Sequence, residues 1–180
     1  MGSRLEKLFA KKSPSEIVDE LSIRFYKSPL SKLRDRLPDL PAAIRIPMLV
    51  IDFNTEVEMQ GILGFLENST GMFLNDTIDA FVEIGAMQTA KILAHIRTIM
   101  ASYGVTPADL RADFDETTEI EVTSFEKLHG EDRSSMASEV DSAADALYLN
   151  RKGDEDVWGL LDTFVAKNKS ELIDVIRDAR

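Results

Sequence analysis

The sequence predicts an all-α fold: a single globular helical domain of about seven to nine helices, with no sheet. Three observations carry that prediction. Apolar residues recur at helical spacing in segment after segment, and helix-start signals precede several of those segments. The one stretch apolar enough to be a buried strand, Ala42 to Phe53, has no partner strand anywhere in the chain. At 180 residues and 44% hydrophobic content the chain can fill one sizeable core. The expected organisation is an N-terminal helical segment, 1–44, joined in one compact unit to an acidic helical domain, 45–180.

Ser13-Pro14-Ser15-Glu16 is a capping box with proline at the first helical position, so a helix runs from there to about Tyr26, with Ile17, Leu21, Ile23 and Phe25 as its apolar stripe. A short helix from Ser28 to Leu37 ends at Pro38 and Pro41. Ala42 to Phe53 is read as helix, with Pro47 marking a kink or an early turn. Asn54 or Thr55 caps the next helix, whose stripe is Met59, Ile62, Leu63 and Leu66. That helix is expected to close at Asn68-Ser69-Thr70-Gly71, with Gly71 in the left-handed conformation. Another helix opens near Asn75 and ends at Gly85. From Met87 to Tyr103 the residues Thr89, Ile92, Leu93, Ile96, Met100 and Tyr103 form a stripe ended by Gly104, and Thr106-Pro107-Ala108-Asp109 opens a further helix. Met136, Val140, Ala143, Ala144 and Leu147 line one side of a later helix. Asp154-Glu155-Asp156 start the next, with Val157, Leu160, Leu161 and Phe164 inward, and Ser170 caps a last helix from Glu171 to Asp178.

Several function classes lose their support here. There is no cysteine, which removes disulfides, thiolate metal sites and cysteine nucleophiles and is in keeping with a cytoplasmic location. No window approaches 18 uninterrupted apolar residues, and the first sixteen residues lack the apolar run and cleavage site of a secretory signal. The two histidines, His95 and His129, have no metal-ligand spacing, and His95 falls on a solvent-facing helix side. Counted as a calcium loop from Asp113, positions five, six and twelve hold Thr117, Thr118 and Ser124, not the required donor, glycine and glutamate. There is no phosphate-binding glycine loop, nucleophile elbow or aromatic–basic interleaving. No catalytic residue, cofactor or metal is assigned.

Charge is informative because it is segregated. Residues 1–47 carry ten Lys and Arg against six Asp and Glu, whereas residues 105–162 carry five against sixteen. Such a field repels nucleic acid and anionic membrane and attracts basic surfaces. Acids in first helical turns, such as Asp76, Asp79, Glu171 and Asp154 to Asp156, complement the helix dipole. Asp113, Asp115, Glu116, Glu119, Glu121 and Glu126 have no such role, and with Glu139, Asp141 and Asp145 they form the candidate partner-binding surface.

Residues 56–71, with Gly61, Phe65 and the Asn68-Ser69-x-Gly71 ending, resemble the signature Asn-Gly-Gly-Phe-x-Gln-Phe-x-x-Asn-Ser-x-Gly of a bacterial family that includes a DNA-mimic protein. The chain departs from it at Met59, Gln60, Ile62 and Gly64. Ile84-Gly85-Ala86, Ala90 and Leu93, and the segments around Tyr148 and from Trp158 to Asn168, continue the likeness, which covers roughly residues 45–175. The motif positions Gly61, Phe65, Asn68, Ser69, Gly71 and Gly85 read mainly as structural. Gly61 and Gly64 would let a neighbouring helix approach closely, and Asn68 and Ser69 would satisfy free backbone groups at a helix end. The resemblance implies an acidic, non-enzymatic interaction domain that binds a basic, DNA-binding type of protein and not nucleic acid itself. Two alternatives stay open: a small-molecule-binding or hydrolytic domain built on the Asn68–Gly71 turn with Glu56, Glu58 or Glu67, and an immunity or accessory protein.

Overall fold

The computed structural model describes residues 4–110, 134–147 and 155–178, and among these every regular element is helical. Helix α1 spans Arg4–Ala10 and α2 spans Pro14–Arg24. The α2 capping box forms as the sequence predicts: the Ser13 hydroxyl accepts from the Glu16 amide and the Glu16 carboxylate accepts from the Ser13 amide. These bonds hold the Glu16 carboxyl below the usual range. Ile17, Val18, Leu21 and Phe25 are buried, whereas Ile23, expected in the stripe, is 55% exposed. A ten-residue 3₁₀ stretch, Leu30–Asp39, follows, kinked at the non-helical Arg36, with Leu30, Leu33 and Leu37 inward three and then four residues apart.

Helix α3 spans Ala42–Glu67 and is the centre of the molecule. Its first half is buried almost all round, and it packs against α2 and against three later helices: α4 (Leu74–Ile84), α6 (Ser134–Ala144) and α7 (Val157–Asp178). Between α4 and α6 in the chain, α5 (Met87–Ser102) packs on both of them. Helices α1 and α2 lie along α7, and the Lys169 ammonium donates to the Lys12 carbonyl. Phe53 lies edge-on to Phe65 and Phe81, with ring centroids 4.9 and 5.2 Å apart, so Phe65 of the motif belongs to the aromatic centre of the core.

Several expectations need correction. Asn54 and Thr55 start no helix: Asn54 is buried within α3, and the Thr55 hydroxyl donates to the Ile51 carbonyl one turn back. Pro47 lies inside α3 without a break; the break comes at Gly61, with φ 73° and ψ −176°. That change of register puts Met59 72% exposed while Ile62 and Leu66 are buried. Gly71 is not left-handed. Its value is the lack of a side chain, because a Cβ there would overlap the Leu66 carbonyl oxygen and stand 2.7 Å from the carbonyl carbon. Nor do Gly61 and Gly64 admit a neighbouring helix: a Cβ on Gly61 would meet nothing within 4 Å, and one on Gly64 would meet the Gln60 side chain. Lastly, Ser170 opens no separate helix, since α7 runs unbroken through Lys169-Ser170-Glu171.

Other expectations stand. Gly85 ends α4 with φ 89° and Gly104 follows α5 with φ 74°. Thr89, Leu93, Ile96 and Met100 are buried on α5, as are Met136, Val140, Ala144 and Leu147 on and just after α6. Thr106 and Asp109 cap each other reciprocally, the Thr106 amide donating to the Asp109 carboxylate and the Asp109 amide to the Thr106 hydroxyl. No helix among the described residues is long and apolar enough to cross a membrane.

Candidate functional site

Of the nine acidic residues singled out, Asp113, Asp115, Glu116, Glu119, Glu121 and Glu126 lie outside the described residues. The other three are exposed, Glu139 about 200° round the helix from Asp141. The apolar stripe of α6 faces α3 and α5, which leaves Glu139, Asp141 and Asp145 exposed on and just beyond the helix. Glu139 is anchored: its carboxylate accepts from the Tyr103 hydroxyl at 2.6 Å. That bond, with some help from burial, raises the Tyr103 pKa, because a phenolate would face the carboxylate. Beside this pair His95, exposed as expected, borders a shallow depression with Ile99, Ser138 and Ser142. Asp141 and Asp145 have no cationic partner among the described residues and present their charge to solvent.

A second acidic cluster escaped the sequence reading. Asp162 on α7 has a raised pKa, first because it is half-buried and then because Asp19 of α2 and Asp156 lie near it. Asp19 is far from Asp156 and Asp162 in sequence, and only the packing of α2 along α7 brings it to them. Glu155 also does something unforeseen. It accepts from the Gln88 and Thr89 amides and from the Thr89 hydroxyl, each at 3.0 Å, so it caps α5 from a point 66 residues away. The cap on α7 itself is Asp156, which accepts from the Gly159 amide.

The most built polar feature is a cleft of about 590 Å³ between the 3₁₀ stretch, the middle of α3 and the 68–73 turn. Asp52 of α3 is 6% exposed and takes two guanidinium bonds from Arg34, from Nε at 2.9 Å and from Nη2 at 2.5 Å. Arg34 also donates to the Phe25 carbonyl and stacks 4.6 Å above the Tyr26 ring, whose hydroxyl donates to Asp52 at 3.0 Å. Burial pushes the Tyr26 phenol up, the Thr55 hydroxyl opposes that, and Asp52 adds to it. An acid inside an otherwise apolar run was the signal that could have revealed Asp52. The motif meets this cleft at its end: Asn68 donates its side-chain amide to Glu56, and Ser69 and Thr70 line the opening with Glu56. No group of three His, Cys, Asp or Glu among the described residues is arranged to hold a metal ion.

The described residues form an all-helical fold around a central helix broken at a glycine and ending in Asn-Ser-x-Gly. The family model described as DMP19-like protein matches residues 38–168, and the chain belongs to that family. No curated protein and no solved structure matches it.

Proposed function

We propose that this chain is a non-enzymatic acidic interaction domain that occupies the nucleic-acid site of a basic protein, with carboxylates standing where phosphates would. The observation that carries the reading is the concentration of charge, five basic against sixteen acidic residues over 105–162, in a member of the DMP19-like family. The exposed Glu139, Asp141 and Asp145 are consistent with it. Phosphates recur about every 1.7 Å along a duplex axis, so a partner shaped for DNA carries closely spaced Arg and Lys that an acidic surface can engage.

Affinity capture from the source cell at low salt, using the whole chain, should yield basic nucleic-acid-binding proteins; an eluate without them sinks the reading. With the captured partner, replacing Asp113, Asp115, Glu116, Glu119 and Glu121 by their amides should slow association by about tenfold or more and flatten its salt dependence, while thermal stability holds. An unchanged association rate and salt slope would remove this segment from the mechanism.

A further inference from the structure

The cleft beside the Arg34–Asp52 pair has features that a merely structural depression does not need. One is a stranded hydroxyl. Three threonines within these helices, Thr55, Thr98 and Thr163, donate to the carbonyl four residues back, and Thr89 donates to Glu155. Thr77 lines the cleft at 1% exposure, and its hydroxyl has no hydrogen-bond partner among the described residues. A buried hydroxyl without a partner carries a desolvation cost that a bound polar group would offset.

Charge is the second feature. The lining contains one cation, Arg34, and three carboxylates, Asp35, Asp52 and Glu56. Arg34 uses three of its five N–H donors on Asp52 and the Phe25 carbonyl, and its charge is offset by Asp52. Asp52 is neutralised by the same pair. Glu56 takes one bond, from Asn68 on Oε2, and its Oε1 has no partner among the described residues. Asp35 lies exposed at the edge. The uncompensated charge in the cleft is therefore negative. Apolar surface open to the cleft comes from Tyr26, Pro38, Met72 and Phe73, with Leu49 and Phe53 buried behind them, and the volume of about 590 Å³ is within the range of small-molecule sites.

We propose that this cleft binds a small organic cation: an ammonium or guanidinium group on an apolar, ring-sized body. Glu56 holds the charge, Tyr26, Met72 and Phe73 hold the body, and the Thr77 hydroxyl meets a polar atom of the ligand. Phosphates, carboxylates and nucleotides are excluded by the same charges. The site is separate from the acidic surface of α6, so the failure of either proposal leaves the other standing.

Titration calorimetry of the full chain with three probes of one shape tests this: phenethylamine, phenethyl alcohol and phenylacetate. The amine should bind with a dissociation constant on the order of millimolar or tighter, as befits a fragment of that size, the alcohol more weakly and the carboxylate not at all. Glu56→Gln keeps an acceptor for Asn68 and removes only the charge; it should weaken the amine about tenfold and leave the alcohol unchanged. Glu58→Gln removes an equal charge from an exposed neighbour on the same helix and should change nothing. Thr77→Val should weaken the amine several-fold with circular dichroism unaltered. No amine binding, equal binding of amine and alcohol, or equal loss in the Glu56 and Glu58 variants would each overturn the proposal, the last by reducing it to diffuse attraction.

Discussion

Replacing Gly61 by alanine separates two accounts of the central helix by the sign of its effect. Were α3 regular through this position, alanine would stabilise the protein by about 0.5–1 kcal/mol, because glycine is the poorer helix former by that amount. The observed backbone, φ 73° and ψ −176°, lies in a region essentially reserved for glycine, where a side chain costs on the order of 1–3 kcal/mol. Sterics with the rest of the protein do not enter, since a Cβ would meet nothing within 4 Å. Alanine also narrows the unfolded ensemble, returning about 0.4–1 kcal/mol. The net expectation is a loss of about 1–2 kcal/mol, or a fall in Tm of roughly 2–8 °C at this chain length. Urea and thermal unfolding followed by far-UV circular dichroism measure it directly, with an unchanged urea m-value showing that only stability moved. A Gly61→Ala variant as stable as the parent, or more so, refutes the break in α3 and the register that exposes Met59.

Other substitutions probe the polar contacts. Glu155→Ala removes the acceptor of three donors at the start of α5 and should cost about 1–2 kcal/mol in chemical denaturation, whereas Glu155→Gln, which keeps one acceptor oxygen, should cost clearly less; equal losses would argue against capping. Arg34→Met leaves the Asp52 carboxylate buried without its guanidinium and should destabilise by about 3 kcal/mol, and adding Asp52→Asn should recover part of that loss; a double variant no more stable than Arg34→Met would mean lost packing alone. Asp162→Asn should raise Tm at neutral pH. The folded-state pKa of Asp162 is raised, so the folded protein holds that proton more tightly than the unfolded chain does. Its stabilising contribution is present below the ordinary aspartate value of about 3.9 and is lost as pH rises through the raised value. The Tm advantage of the asparagine variant should therefore shrink as pH falls toward about 3.9, and an advantage that stays constant would refute the cause.

The sequence alone determined what depends on neighbours a few residues apart. The Ser13–Glu16 box, the Gly85 stop and the buried stripes of α5 and α6 are local or single-helix features, set by capping chemistry and the 3.6-residue period. Tertiary packing decided the rest. Asn54-Thr55 is a competent cap in isolation, yet the core buries α3 on nearly every side there, and closing that core favours a continuous helix over a local start. Glu155 could cap its own helix or another, and only the placement of α7 beside the start of α5 chose between them. Gly61 and Gly71 were both legible as special positions, but their reasons were exchanged: the left-handed backbone is at Gly61, and at Gly71 the need is for no side chain. The cleft joins residues from Tyr26 to Thr77 across four elements, and the charge excess of Glu56 over a neutralised Arg34–Asp52 pair exists only once those elements meet. Charge and period are properties of the chain, whereas which charges are left uncompensated is a property of the fold, because it depends on which groups burial forces into contact.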